Sequence, residues 1–229
     1  MQAAEGRRAH VAAMSTASAL GLTVEDAVVL SDSNRLVVRP LPCDVVARIA
    51  PIGYRVFSAA VGAERELEVV QRLAETDGPV AVLEPRVEPR VFVRDGFEIT
   101  MLTYFEPVQS REVSPKDYAH ALGRLHAVMR KVDVATPHFT DRAADVQRWA
   151  ARRDVTPDLT REDRELLADR LGSLRRSIVD RGAAEQLLHG EPHPWNVLNT
   201  KKGPTLALAR FPVAPAKPRV NAIKRNPSR

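Results

Sequence analysis

Cysteine is nearly absent from this chain, whose 229 residues contain only Cys43. A single cysteine excludes an intramolecular disulfide and offers no cysteine-based metal cluster. The chain also lacks any run of the roughly eighteen apolar residues that a membrane span requires, so we expect no membrane partner. A reducing compartment is the simplest interpretation of this cysteine usage, and we therefore expect a cytoplasmic protein.

Carboxylates are missing from the C-terminal end. All 29 Asp and Glu residues lie at or before Glu191, whereas eight of the 34 Lys and Arg residues lie at or after Lys201. Residues 1–200 therefore carry a formal charge of −3 and residues 201–229 carry +8. The tail at 205–229 is rich in Pro, Ala, Lys and Arg without amphipathic periodicity, which predicts disorder. It could be a nucleic-acid arm, but we rank this last because its only aromatic residue is Phe211.

The first 105 residues predict a small antiparallel sheet with helices. A helix is expected to end near Gly21, because Ser and Thr dilute the apolar stretch that follows Arg7 and Arg8 and argue against a signal peptide. Alternating apolar runs then predict strands, and an apolar stripe predicts a helix at 63–76. The stripe, expected to face the sheet, consists of Leu67, Val70, Leu73 and Ala74. The predicted strands are a hairpin within 26–39 and single strands at 45–50, 80–83, 90–94 and 97–103, with Asp95 and Gly96 as the turn between the last two.

Helices dominate the sequence that follows. Ser114 is a suitable N-cap and Pro115 suits the first helical position of a helix that contains His126. Further helices are predicted at 141–153 and, capped by Thr160, from 160 to about 180. The last helix is expected to turn five apolar side chains inward: Leu166, Leu167, Leu171, Leu174 and Ile178.

The richest chemistry lies in the eight residues from His189 to Asn196, between two apolar segments. A phosphoryl-transfer loop needs a carboxylate that accepts a hydroxyl proton and, five residues later, an Asn oxygen that binds Mg²⁺. Glu191 and Asn196 have this spacing. His189 and His193 could instead form a zinc pair, but Pro192 interrupts the single helical face that such a pair requires.

This loop resembles the catalytic loop of the aminoglycoside phosphotransferase family, whose usual pattern is His, Gly, Asp, any, His, any, any, Asn. The chain matches it at His189, Gly190, His193 and Asn196, and has Glu191 where Asp is usual and Trp195 where a small residue is usual. The resemblance implies an α+β fold, protein-kinase-like and two-lobed, with an antiparallel N-lobe sheet and a mostly helical C-lobe.

The resemblance also implies roles for individual residues. Arg48 on the third strand would bind the α and β phosphates of ATP, and Glu66, rather than the competing Glu64, would pair with it. Arg48 could alternatively be an edge-strand arginine and Glu66 an ordinary surface glutamate. Glu191 would be the catalytic base and Asn196 the Mg²⁺ ligand.

The remaining implied contacts to nucleotide come from two loops. The turn that contains Ser33 would cover the phosphates, and the hinge residues Leu102 to Tyr104 would contact adenine. Tyr104 could equally be inter-lobe core, and His126 is expected to be structural. Acidic residues of the acceptor side, Asp145, Asp154 and Asp158, could meet a polyamine, although each could simply be solvated.

The resemblance breaks after residue 204. A family member continues into a strand carrying a second Mg²⁺-binding Asp, whereas no carboxylate follows Glu191 here. We therefore expect an incomplete C-lobe, from truncation or a shifted reading frame. The predicted organisation is an N-terminal helix (1–22), a nucleotide-binding N-lobe (23–105), a C-lobe (106–204) and the tail (205–229).

The expected function is transfer of the ATP γ-phosphate to a hydroxyl of a small molecule, with Mg²⁺ as cofactor. The alternative is a catalytically inactive relic that at most binds nucleotide. The acceptor is not identified by the sequence, because related scaffolds handle aminoglycosides, other antibiotics, sugars and amino alcohols.

Overall fold

The computed structural model describes residues 3–32, 35–53, 62–108, 112–193, 196–207 and 213–215. The chain divides into two compact units, one formed by Met1–Pro137 with Leu187–Pro212 and the other by His138–Gln186 with Val213–Arg229. No helix within the described ranges is long and apolar enough to cross a membrane.

The first unit is built on a five-stranded antiparallel sheet in the order β1-β2-β3-β5-β4. Its strands are β1 (Val24–Asp32), β2 (Leu36–Pro42), β3 (Val45–Pro51), β4 (Phe92–Arg94) and β5 (Phe97–Thr103). The predicted hairpin is confirmed. So is the tight turn between β4 and β5, where Asp95 and Gly96 have φ values of 52° and 87°.

The strand predicted at 80–83 is wrong. Within this segment only Val80 and Leu83 form bridges, and they pair with different partners, Leu206 and Leu102. The apolar residues are buried for another reason: the segment crosses between β5 and the C-terminal part of the unit. The apolar run at 80–83 therefore reflects burial of the segment and not a ladder of strand hydrogen bonds.

The predicted N-terminal helix is present as α1 (Ala3–Ala19), and it covers one face of the sheet. It buries four alanines, whose small side chains let the helix approach the strands closely: Ala9, Ala12, Ala13 and Ala17. The helix ends in a Schellman turn. Leu22 N–H donates to the Ala17 carbonyl, Gly21 N–H donates to the Ser18 carbonyl, and Gly21 has a φ of 80°.

Helix α2 (Ala63–Ala74) lies on the opposite side of the sheet, against β5, and shares a second core with α3 (Pro115–Met129). The inward face of α2 contains Leu67, Val70 and Leu73 as predicted, but Ala74 is exposed and Val69 is buried instead. Ser114 caps α3 as predicted, because its hydroxyl accepts a hydrogen bond from the Asp117 N–H.

A short hairpin completes the first unit. Strands β7 (Val197–Thr200) and β8 (Gly203–Leu206) pair in antiparallel register. Leu206 is fully buried, and its N–H and carbonyl bond to Pro79 and Ala81. The predicted boundary at residue 204 therefore falls inside β8, because Leu206 belongs to the core of the unit.

The second unit contains α4 (Phe139–Ala151) and α5 (Arg161–Asp180), and β6 (Glu185–Leu187) pairs with β9 (Val213–Pro215). Strand β9 lies in the stretch that the composition predicts to be disordered. Thr160 caps α5 as predicted. The inward face predicted for α5 is only partly correct: Leu167, Leu171 and Ile178 are half-buried, whereas Leu166 and Leu174 are 55% and 61% exposed.

Candidate functional site

The loop after β6 is held by two histidines. The His189 side chain is fully buried, and its backbone N–H donates to His126 Nε2 at 3.3 Å. His189 Nε2 lies 2.9 Å from the Ala207 carbonyl oxygen, so this nitrogen must carry the proton and donate. The loop is thereby tied to α3 on one side and to the end of β8 on the other.

Burial keeps both imidazoles neutral at pH 7. It lowers the pKa of His126 to about 4, with smaller contributions from the charges of His189 and Arg130. Burial also lowers the pKa of His189, against the opposing effects of the Ala207 carbonyl and the Glu191 carboxylate. A neutral His126 can accept from the loop, which agrees with the structural role predicted for it.

Hydrogen bonds to Glu191 and His193 orient the Asn196 amide. Asn196 Nδ2 donates to the Glu191 carbonyl at 3.0 Å and lies 3.2 Å from His193 Nε2. The backbone N–H of Asn196 donates to the His193 carbonyl, and that of His193 to the Glu191 carbonyl. Because both contacts of the amide use the nitrogen, Oδ1 is left as the end that can bind a cation.

The zinc alternative has no support in this geometry. His189 Nε2 donates to a carbonyl, and His193 is exposed with Nε2 against the Asn196 amide. Over the described ranges, no three His, Cys, Asp or Glu side chains are grouped as a metal site. In this loop, Asn196 Oδ1 is therefore the oriented side-chain oxygen that can bind a cation.

Arg48 and Glu66 come together, as predicted. Residues 45, 47 and 49 of β3 are fully buried toward α1, so alternation places Arg48 on the face that α2 covers. Arg48 Nη1 lies 3.6 Å from Glu66 Oε2, and Glu66 is only 3% exposed. Glu64 is exposed, so the competition between the two glutamates is settled in favour of Glu66.

A second arginine, which the sequence did not indicate, holds Glu66 more closely. Arg35 Nη1 and Nη2 donate to Glu66 Oε2 and Oε1 at 2.6 Å and 2.9 Å, a two-bond fork. Val37 is the register partner of Arg48, and Arg35 precedes Val37 by two residues. Side chains two residues apart along a strand share a face, so Arg35 is on the same face as Val37 and Arg48. This could be deduced only once the register between β2 and β3 was known.

The charges of this cluster perturb both guanidinium groups. Burial lowers the pKa of Arg48 to about 10; Glu66 opposes this and Arg35 adds to it. Burial also lowers the pKa of Arg35, but the carboxylates of Glu66, Glu98 and Glu191 outweigh burial and raise it above its ordinary value. The Glu191 carboxylate of the loop is therefore within electrostatic reach of Arg35.

Arg48 retains an unused donor. Its Nη1 is buried and makes no hydrogen bond to any group in the described part of the chain. A buried guanidinium N–H without an acceptor is costly, and an anion such as a phosphate would satisfy it. The residues present therefore fit a phosphate next to Arg48.

The hinge residues are placed at the end of β5. Leu102 is 5% exposed and packs in the second core. The Tyr104 N–H donates to the Asp44 carbonyl at 2.9 Å, and the Arg39 guanidinium lies 3.7 Å from the centroid of the Tyr104 ring. The Tyr104 amide is thus already engaged, and the adenine contacts of Leu102 and Tyr104 stay a prediction.

The other residues named from the sequence lie outside the described residues or in the second unit. Ser33 lies outside the described residues, as does Trp195. In the second unit, Asp145 is 1% exposed and forms an ion pair with Arg148. Asp154 is paired with Arg152, and Asp158 is exposed. Asp145 is therefore not a solvent-facing carboxylate, and its predicted contact with a polyamine is not supported.

Solved structures with the same fold share little sequence with this chain. The aminoglycoside phosphotransferase APH(3'')-Id from Streptomyces rimosus, in complex with ADP and streptomycin, is 19% identical with a TM-score of 0.57; the match covers 81% of this chain and 74% of that one. The choline kinase LicA from Streptococcus pneumoniae is 12% identical with a TM-score of 0.57, over 87% and 68% of the two chains. Spectinomycin phosphotransferase, in complex with ADP and spectinomycin, is 9% identical with a TM-score of 0.54, over 88% and 69%.

These similarities confirm the kinase-like fold. The chain spans about two thirds to three quarters of the length of these solved chains, and beyond residue 207 the structure describes only Val213–Pro215. Of the helical C-lobe, the described ranges contain α3, α4 and α5. Curated protein sequences give no significant match.

A family model extends from residue 26 to residue 207 and therefore includes the arginine pair, Glu66 and the whole loop around Glu191 and Asn196. This match confirms the resemblance that the loop at 189–196 predicts. The chain belongs to the phosphotransferase enzyme family.

Proposed function

We propose that this protein is an ATP-dependent phosphotransferase that transfers the γ-phosphate to a hydroxyl of a small molecule. The observation that carries the proposal is the buried Arg48 Nη1, which makes no hydrogen bond in the described part of the chain although Glu66 lies 3.6 Å away. The charge of Glu191, the predicted base of the loop, also acts on Arg35, which shares Glu66 with Arg48. The nucleotide would be held mainly by residues 23–105, and the loop would come from residues 106–204.

Arg48, Glu191 and His189 would have separate roles in the reaction. Arg48 would hold the α and β phosphates through its buried Nη1, since Glu66 lies at 3.6 Å and leaves that donor unsatisfied. Glu191 would accept the acceptor's hydroxyl proton as the acceptor oxygen bonds to the γ-phosphorus and ADP leaves. The hydrogen bonds of His189 would keep Glu191 at a fixed position.

Asn196 would bind Mg²⁺ through Oδ1, because the amide nitrogen is held by the Glu191 carbonyl. When bound, Mg²⁺ would neutralise charge on the phosphates. Magnesium sites usually combine one or two carboxylates with phosphate oxygens and waters. Here the oriented protein ligand is a neutral amide, so we expect weaker dependence of nucleotide binding on Mg²⁺ than a site with a carboxylate would show.

The scarcity of carboxylates favours a second candidate function, a nucleotide-binding protein without turnover. No Asp or Glu follows Glu191 in the sequence, and the described part of the chain contains no group of three acidic, His or Cys side chains arranged as a metal site. The names of two solved relatives give two classes of hydroxyl acceptor, aminoglycosides and choline. Tests of phosphate transfer to these acceptors distinguish a phosphotransferase from a nucleotide-binding protein without turnover.

Calorimetric titration with ATP, with and without Mg²⁺, tests the phosphate site. We expect Arg48→Met to weaken ATP binding on the order of ten-fold or more, because it removes a buried charged hydrogen bond. The matched control is Arg65→Met on the outer face of α2, where the arginine is exposed and 3.8 Å from Glu68. Equal ATP affinity in the wild type and in Arg48→Met would contradict the proposal.

A further inference from the structure

The cluster around Glu66 contains more positive than negative charge. Two arginines share one carboxylate that is 3% exposed, and they do not share it equally. Arg35 uses both oxygens, at 2.6 Å and 2.9 Å, whereas Arg48 approaches one of them to 3.6 Å. The geometry makes Arg35 the main partner of Glu66, although the pattern typical of kinase-like folds gives this position to the cation of the third strand.

This unequal sharing has a direct effect on Arg48. A buried carboxylate with a single arginine nearby forms a bidentate pair with it, which uses two of the donors of that guanidinium. Here Arg35 fills both oxygens, so Arg48 Nη1 remains buried without a hydrogen bond in the described ranges. The Arg48 group is also held in place, because Glu66 is still close enough to attract it.

We infer that Arg35 is a positioning residue for nucleotide binding: by occupying Glu66, it keeps the Arg48 guanidinium available to a phosphate. The inference rests on the proposed function, since it concerns the same phosphate site. The charge of Glu191 acts on Arg35 as well. Removing Arg35 should let Glu66 take Arg48 as a bidentate partner.

The inference predicts a loss of affinity that depends on the phosphates. In Arg35→Met, we expect affinity for ADP to fall roughly ten-fold while affinity for adenosine is unchanged, because only the phosphate contact involves Arg48. Arg35→Lys should show a smaller loss, since an ammonium neutralises Glu66 but lacks the two-bond fork. Arg65→Met, on the exposed face of α2, should bind both ligands as the wild type does.

The double variant Arg35→Met/Arg48→Met separates positioning from direct contact. If Arg35 acts through Arg48, the double variant binds ADP no more weakly than Arg48→Met alone. Losses that add would overturn the inference, because Arg35 would then contact phosphate by itself. Equal losses for ADP and adenosine would overturn it as well, because they would show a general structural role.

The measurement is calorimetric titration of each folded variant with ADP and with adenosine, after thermal unfolding has established that it is folded. If Arg35→Met does not fold, Arg35→Lys keeps the test decisive. An Arg35→Lys variant that binds ADP as tightly as the wild type would also refute the inference. A wild type that binds ADP no better than adenosine would refute the proposed function together with the inference. If the wild type prefers ADP to adenosine and Arg35→Met binds ADP with the same affinity as the wild type, the inference is refuted but the proposed function is not.

Discussion

Acidification should weaken the anchor of the catalytic loop, because His126 must stay neutral to accept the His189 N–H. Burial lowers the pKa of His126 from its ordinary value of 6.5 to about 4. The unfolded chain therefore binds a proton at this site between these two pH values and the folded chain does not. Stability from this residue is fully present above about pH 6.5 and is lost as the pH falls toward 4.

The size of the effect follows from the shift. A shift of one pKa unit corresponds to about 1.4 kcal/mol, so the full loss is about 3 kcal/mol and the loss between pH 7 and pH 5 is about 2 kcal/mol. The lowered pKa of His189 adds a loss of the same sign. Most carboxylates stay ionised down to pH 5, which makes this interval the suitable one for the measurement.

Urea unfolding of the wild type and of His126→Gln, at pH 7 and at pH 5, checks this reasoning. The Gln amide oxygen can accept from the loop but does not titrate, so the variant should lose about 2 kcal/mol less than the wild type between the two pH values. An identical pH dependence in both proteins would refute the assignment of the shift to His126. His120→Gln is the matched control, because His120 lies on the same helix and is exposed.

Two further substitutions test the charged cluster and the loop. Glu66→Ala leaves Arg35 and Arg48 buried without their carboxylate, so we expect unfolding by urea to become easier by roughly 3–5 kcal/mol, against no change for the exposed Glu64→Ala. A loss below about 1 kcal/mol would show that water already compensates the two arginines. Asn196→Ala removes the oriented Oδ1, so we expect Mg²⁺ to stop strengthening ATP binding in calorimetry while Mg²⁺-free affinity stays the same. Retention of the Mg²⁺ effect would place the metal on another ligand.

Local sequence signals predicted much of the fold. The caps at Ser114 and Thr160 and the turn at Asp95 and Gly96 depend on residues within three or four positions, and they were read correctly. The inward face of α5 is predicted only in part, because apolar spacing identifies the apolar side of a helix but not which of its residues a neighbouring element covers. Strand-like burial at 80–83 was misread for a similar reason.

In the candidate site too, local spacing could be predicted from the sequence whereas contacts between distant residues could not. Glu191 and Asn196 could be found because five residues of sequence fix their relation, and Arg48 with Glu66 because the resemblance pairs a strand with a helix. Arg35 could not be found, since its fork with Glu66 joins positions 31 residues apart and depends on strand register. The Ala207 carbonyl that binds His189 lies 18 residues along the chain, and no spacing rule connects them.

Transfer of the phosphoryl group is the central claim, and phosphorus NMR of ATP mixed with the full chain, Mg²⁺ and a panel of hydroxyl acceptors measures it directly. The panel would hold aminoglycosides, amino alcohols such as choline, and sugars. The account predicts a new phosphomonoester signal with one acceptor class, which disappears in Glu191→Gln while ATP affinity is retained. Tight binding of ATP without a phosphomonoester from any acceptor would contradict the account and favour a nucleotide-binding protein that does not turn over.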